Sequence, residues 1–254
     1  MNTIGLDHAA VDQIINASSI DDAWETLQKK SDEAGFDRLI YGSNRLRRVG
    51  DFGNAADSYF KSDLPEHLVR RLVDEELYRS LPVAIWAMKN KGVISLQYGS
   101  NLYHAGELPP KMAETQKLFM DAGVTGGYVI SFNEPGSVEA AALTYISLGK
   151  PQETIDEIWS NSGRNLKTYG SLFNLRASNL PIPMRGKKLT DRQKEVLHWI
   201  AQGKTSSEIA TILDLSVATI EKHLRQAREA FGVSTTLQAV LYAQITSQIF
   251  TQPR

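Results

Sequence analysis

Apolar residues recur along the chain at two different spacings, and the spacing changes where the elements change. Ala23, Trp24 and Leu27 fall at helical intervals within Ile20–Ala34, whereas Phe36–Tyr41 has the composition of a strand. Glu66–Arg79 predicts a helix, with Leu68 and Leu72 on one side and Glu76/Leu77 marking the other. Pro82–Met88 stays open between a buried strand and a helix, because proline suits the first turn of a helix. Val93–Tyr98 alternates weakly, as a strand does, and Met112–Ala122 predicts a helix stopped at Gly123. Tyr128–Phe132 and Val138–Ser147 predict a hairpin through Asn133-Glu134-Pro135-Gly136. Thr154–Leu175 predicts one long helix. Its Ile155, Ile158, Trp159, Leu166 and Tyr169 exceed one buried stripe, so it is expected to supply a dimer interface. Helices and strands in mixed order, with a hairpin, predict an α+β fold whose antiparallel sheet is covered by helices.

The pattern then changes character. Asn179–Lys188 holds two prolines, a glycine and three charges, which neither helix nor strand tolerates, so it is expected to be a linker. Beyond it, Thr190 and Gln193 have capping-box spacing, followed by Val196, Leu197, Ile200 and Ala201 up to Gly203. Thr205 and Glu208 repeat the device ahead of Ile209, Ala210, Ile212 and Leu213. Asp214-Leu215-Ser216 reads as a tight turn ending in a helix cap. Val217, Ile220, Leu224, Ala227 and Phe231 recur at helical spacing, and a fourth helix is expected from about Thr236 to Ile249. Four short helices with a three-residue turn between the second and third are the helix-turn-helix pattern. The domains are therefore expected at 1–178, with a linker at 179–188 and a second domain at 189–254.

Charge sharpens this division. The chain has 254 residues and a net charge of −1, but the two parts differ in sign. Residues 181–254 carry 10 Lys/Arg against 6 Asp/Glu, and residues 1–180 carry 18 against 23. A basic module on an acidic body suits nucleic acid. With Val217, Ile220, Leu224 and Ala227 buried, the third helix would expose Glu221, Lys222, Arg225 and Arg228. Arg225 can take a guanine bidentately, and Glu221 can accept from cytosine. Lys222, His223, Arg228 and the cap hydroxyls of Thr205 and Ser216 suit phosphates. The bland alternative is a small helical bundle with a solvated charged face.

Other classes are disfavoured by what the chain lacks. It has no cysteine, so disulfides, cysteine nucleophiles and thiolate metal sites are excluded. Its five histidines show no metal spacing, and there is no Gly-x-Ser-x-Gly elbow, so neither an enzyme nor a bound cofactor is expected. No apolar run spans a membrane, and Met1–Ile20 does not resemble a signal peptide; a soluble cytoplasmic protein is expected.

Two stretches resemble known families. Leu189-Thr190-x-Arg192-x-x-Glu195-Val196-Leu197-x-Trp199-x-Ala201-x-Gly203-Lys204-Thr205-x-x-Glu208-Ile209-Ala210 resembles the LuxR-type DNA-binding signature. Ser216-x-x-Thr219-Ile220-x-x-His223, Gly232-Val233 and Gln238-Ala239 continue it without a gap. Gln193 stands where that family usually has Glu, and Thr236 replaces a frequent Arg. The resemblance implies double-stranded DNA as partner, read as an inverted repeat by a homodimer, with RNA polymerase left open as a further partner. The fourth helix, near Leu241 and Ile245, is expected to supply a second dimer interface.

The N-terminal part is similar to the autoinducer-binding domain of quorum-sensing regulators, which implies an α/β/α sandwich. Gly123-Val124-Thr125-Gly126-Gly127 resembles that family's glycine motif, and Ala141-Ala142-Leu143-Thr144 resembles the strand whose Ser/Thr faces the ligand. The ligand signature departs from the pattern. Leu68 stands at the first Trp, Leu72 at the Tyr and Leu81 at the Asp, while the second Trp falls near Leu96 or Gln97. In the family those polar groups hold an acyl-homoserine lactone. Each ligand polar group buried unpaired costs roughly 1–3 kcal/mol, and three such losses would erase most of a sub-micromolar affinity. Acyl-homoserine lactones are therefore not expected as the signal. Two readings stay open. The leucines pack the domain shut as a ligand-free scaffold, or they line a pocket for a small apolar signal. In the second, Tyr78, Trp86, Tyr98, Tyr103 or Thr144 would supply polar handles and Gly127 would keep its family position. A regulator that holds a lactone by non-standard contacts, or an antagonist that pairs with another regulator, are the alternatives.

Overall fold

The computed structural model describes residues 5–45, 51–53, 55–124, 126–134, 139–180, 188–246 and 248–249. The chain forms two compact units, one up to Asn179 and the other from Leu180. Pro181–Lys187 of the predicted linker, Pro135 and Gly136 of the predicted hairpin turn, Val138 at the start of its second strand, and Thr125 of the glycine motif lie outside the described residues.

The first unit is built on a five-stranded sheet of order β2-β1-β5-β4-β3, antiparallel at every pairing described. Its strands are β1 (Arg38–Asn44), β2 (Ser58–Ser62), β3 (Gly92–Ser95), β4 (Gly126–Ser131) and β5 (Ala140–Ser147). The period of two sends alternate residues to opposite faces. Leu39 and Tyr41 of β1, Ile130 of β4 and Leu143 and Tyr145 of β5 are buried on one face. The helices on that side are α1 (His8–Ile15), α2 (Ile20–Ala34) and α7 (Gln152–Asn179). Phe173 of α7 packs edge-on against Trp24 and Tyr41, and the Tyr145 hydroxyl donates to Leu166 O at 2.8 Å. Ile40, Gly42, Ala142, Thr144, Ile146 and Val129 face the other way. There the sheet meets α3 (Glu66–Val73), α4 (Pro82–Lys89), α5 (Gln97–His104) and α6 (Pro110–Asp121). The unit is the α/β/α sandwich expected.

Several elements differ from the sequence expectation. The predicted helix Glu66–Arg79 ends at Val73, because Glu76 adopts the left-handed region at φ +54° and a separate 3₁₀ turn follows at Leu77–Ser80. Pro82–Lys89 is a helix with proline at its first position. The strand predicted to Tyr98 stops at Ser95, and Leu96 enters α5. The five residues of β2 are all half-buried, so the edge strand shows no alternation for a sequence to display. The residues that suggested an α7 dimer interface are in part taken up inside the unit, with Ile158 and Trp159 left half-buried and Leu175 61% exposed. Ile155, Leu166 and Tyr169 are buried within the unit, Ile158 lies against Gly35, and Trp159 stacks on Tyr128 at 4.2 Å.

The second unit holds α8 (Asp191–Ala201), α9 (Ser206–Leu213), α10 (Val217–Phe231) and α11 (Thr236–Ile245). Its core is Val196, Leu197, Ile209, Ile220, Leu224, Ala227 and Phe231, with Ala239 and Ala243 of α11. Side chains cap each helix: Thr190 with Gln193, Thr205 with Glu208 and Thr235 with Gln238 form full capping boxes, and Ser216 accepts from Thr219 N. Each cap satisfies backbone donors that would otherwise be orphaned at the helix start. Asp214 turns the chain between α9 and α10 with φ +53°. No helix among the described residues is long and apolar enough to cross a membrane.

Candidate functional site

The nucleic-acid candidate is the outer face of α10. Glu221 and Lys222 are exposed, and Arg225 is exposed one turn beyond Glu221 on the same face. The Ser206 hydroxyl, on α9, donates to Glu221 Oε1 at 2.6 Å, so the two helices fix that carboxylate together. Arg225 Nε lies 3.7 Å from Glu229 Oε1, a loose pair between exposed groups. Lys222 makes no ion pair among the described residues. Thr219 is half-buried, its hydroxyl 2.8 Å from that of Ser216. Thr205 gives its N–H and hydroxyl to Glu208, and these bonds hold the Glu208 carboxyl below its usual range.

Three residues sit differently from expectation. Val217 is 46% exposed rather than buried, because it is the first residue of α10 and lies beyond the packed turns. It adds an apolar group to the outer face, of the kind that meets a thymine methyl. Arg228 donates to Thr236 Oγ1 at 2.9 Å, tying α10 to α11, so part of its capacity is structural. His223 is half-buried with Nδ1 enclosed and unpartnered, which leaves only its other nitrogen for phosphate. Ser206 was missed by sequence reasoning; it stands 15 residues from Glu221, with no local signal linking them.

The ligand candidate is a cavity of about 160 Å³ between the sheet and helices α3–α6 of the first unit. Small residues make it: Gly42, Ala140 and Ala142 on the sheet, Ala84 and Ala87 on α4. Of the eight residues expected there, Leu72, Tyr78, Leu81, Leu96 and Thr144 line it. Leu68 is buried in the same apolar cluster but sits one turn back on α3, Trp86 packs at the cluster's edge, and neither lines the cavity. Gly127 is outside the lining as well. Its role is steric: at φ +156° a Cβ would strike the Tyr145 carbonyl and press on Leu96. Of the other expected handles, Tyr98 is 40% exposed, and Tyr103, half-buried on α5, is outside the lining.

Polar groups in the lining are few. Asn133 donates to Ala87 O at 2.5 Å and accepts from Ala141 N, and Asn44 donates to Phe52 O and Ser58, so both are committed to backbone or neighbours. Tyr78 is held between Phe52 and Phe60, and burial raises its hydroxyl above the ordinary range. Ser58 and Arg79 approach that hydroxyl, but neither reaches it in hydrogen-bond geometry. Among the described lining residues none is charged. No group of acidic or histidine side chains among the described residues could hold a metal ion.

Comparison with known proteins follows the same division. Residues 19–177 match the autoinducer binding domain, and residues 187–243 match bacterial regulatory proteins, luxR family. The chain is 29% identical over 137 residues to the transcriptional activator protein BjaR1 of Bradyrhizobium diazoefficiens, covering 54% of each. It is 40% identical over 80 residues to the regulatory protein SdiA of Escherichia coli, covering 31% of this chain and 33% of that one. The chain spans about half the length of the first curated relatives it matches. The N-acylhomoserine lactone dependent transcription factor CepR2 of Burkholderia cenocepacia shares the fold. Its TM-score is 0.51 at 15% identity, over 68% of this chain and 93% of that one. The chain belongs to the LuxR family of bacterial transcription regulators, with an autoinducer-binding domain ahead of a helix-turn-helix unit.

Proposed function

We propose that this chain is a dimeric, cytoplasmic transcription regulator that reads an inverted-repeat operator through α10 and is tuned by a small apolar signal other than an acyl-homoserine lactone. Residues 1–178 act as the sensor, 179–188 as the linker and 189–254 as the DNA-binding domain. The carrying observation is the cavity lining. Leu72 and Leu81 face the space where the family places polar ligand contacts, and no charged side chain joins them among the described residues. A lactone brings two carbonyls and an amide N–H that must all leave water. Leu72 and Leu81 can neither donate nor accept, so a lactone loses the hydrogen bonds those two positions would supply, and any compensation has to come from other lining groups. The pocket itself supports a bound signal over a scaffold packed shut, since the leucines leave an apolar space open beside the sheet.

The test takes protein expressed without any lactone source. Calorimetry and thermal melts against short- and long-chain acyl-homoserine lactones should show no sub-micromolar binder. Gel shifts with inverted-repeat DNA should show specific binding without added lactone. A lactone required for folding, or bound below micromolar, would refute the signal assignment.

A further inference from the structure

Two polar side chains in the cavity are more than nine-tenths buried and make no side-chain hydrogen bond of good geometry among the described residues. The Tyr78 hydroxyl is enclosed and unpaired. The Gln116 side chain on α6 is 6% exposed, lines the cavity and makes no hydrogen bond among the described residues. An amide that lines an apolar pocket without a protein partner keeps its donor and acceptor open to whatever occupies that pocket. Gly99 leaves room beside the amide. A Cβ at Gly99, in the middle of α5, would stand 2.5 Å from Gln116 Oε1. Glycine inside a helix is itself unfavourable relative to alanine. A side chain at position 99 would push that flexible amide end aside, so the glycine leaves it free to sit in the pocket.

We propose that the cavity binds a neutral molecule about the size of a substituted single ring, whose head group carries both a donor and an acceptor, read by the Gln116 amide and the Tyr78 hydroxyl. The proposal rests on the cavity being the signal site. Neutrality follows from the lining, in which no described side chain is charged, while Arg79, the cation beside Tyr78, is already paired with Glu76 and bonded to Gly53 O, so an ionised group would lose hydration without a free counter-charge. Size follows from the volume, since an apolar cavity of about 150 Å³ accommodates benzene. Ring shape suits the aromatic walls Phe52, Phe60, Tyr78 and Phe119. The donor and acceptor follow from chemistry: a primary amide offers N–H and C=O side by side, and a phenol can give or take one hydrogen bond.

Three matched probes test this on the full chain by thermal melting at equal free concentration: toluene, benzamide and benzoate. A ligand that binds only the folded state raises the melting midpoint by mass action. Benzamide should raise it most, toluene less, and benzoate not at all. Gln116→Leu should melt higher than the parent without ligand, and its response to benzamide should fall to that of toluene. Tyr78→Phe should also shrink the benzamide response while keeping that of toluene. Benzoate matching benzamide, benzamide no better than toluene on the parent, or a benzamide preference surviving Gln116→Leu would overturn the head-group assignment. A Gln116→Leu protein that melts lower would mark the amide as structural and overturn it too. Failure of both toluene and benzamide to move the parent would overturn the cavity as a signal site.

Discussion

Arg225 and Arg228 stand three residues apart on α10, and their partners assign them different work. Among the described residues Arg225 has only the loose contact with Glu229, so swinging to a base edge breaks little. Arg225→Ala should weaken specific binding by roughly 1–3 kcal/mol and relax preference at one base pair per half-site. Equal specific and non-specific affinities before and after would show that α10 docks otherwise. Arg228 is bonded to Thr236, and the loss of one such bond costs about 1 kcal/mol. Arg228→Ala and Thr236→Val should therefore lower the melting of the second unit by similar amounts, and the double variant little further. An Arg228→Ala protein that loses DNA affinity with unchanged melting would return that arginine to the phosphates. Ser206→Ala frees Glu221, and the expected result is a broader base preference at its position with little loss of affinity for the best site, read by binding to a randomised operator. These partnerships were not legible in the sequence. The residue types exposed on α10 could be named from helical spacing, but which of them is committed to a neighbouring helix depends on tertiary approach.

Short-range chemistry decides how well each element could be foreseen. The boundaries of α8, α9 and α10 were readable because each start is marked by a cap three residues from its partner, and Gly203 and Gly232 follow α8 and α10. The long helix, α2 and the β4–β5 pair were readable because their periodicity is sustained. The edge strand β2 and α5 carry no such signal: β2 lacks alternation, and α5 begins at Gln97 with no break after Ser95, while α1, though capped by Asp7, is only eight residues long. The cavity was invisible for another reason. Gly42, Ala84, Ala87, Ala140 and Ala142 come from separate segments, and only the sheet register and the placing of α4 bring their small volumes together. The turn between α9 and α10 offers an element-level test. Asp214 is left-handed at φ +53°, a conformation costing most L residues roughly 1–2 kcal/mol and glycine nothing. Asp214→Gly should stabilise the second unit modestly and Asp214→Val should destabilise it, as read by calorimetry. A lower midpoint for the glycine variant would mean the Asp214 side chain contributes more than its backbone strain removes.

At the scale of the whole molecule the unanswered need is a second recognition helix. One copy of α10 offers DNA a single short contact, and two-fold pairing doubles it while demanding an inverted repeat. On α7 most of the apolar stripe is taken up inside its own unit, leaving Leu175 at 61% exposure, and the second unit carries a further exposed pair. Leu237 is 79% exposed and Leu241 50% exposed, one turn apart on α11, opposite the buried Ala239 and Ala243. A stripe of this kind is self-complementary across a two-fold axis. Full burial of one leucine contributes about 1.5–3 kcal/mol, and association costs roughly 4–15 kcal/mol. Four leucines, already partly covered, therefore roughly balance that cost, so α11 pairing becomes strong only when both units are held on adjacent half-sites. Sedimentation of the full chain on an inverted-repeat operator should show two protomers per duplex. The Leu237→Glu, Leu241→Glu double variant should keep the half-site affinity of the parent and lose the cooperativity between half-sites. One protomer on the full operator at micromolar concentration would contradict dimeric binding itself. Undiminished cooperativity in the double variant would place the pairing surface on the first unit instead.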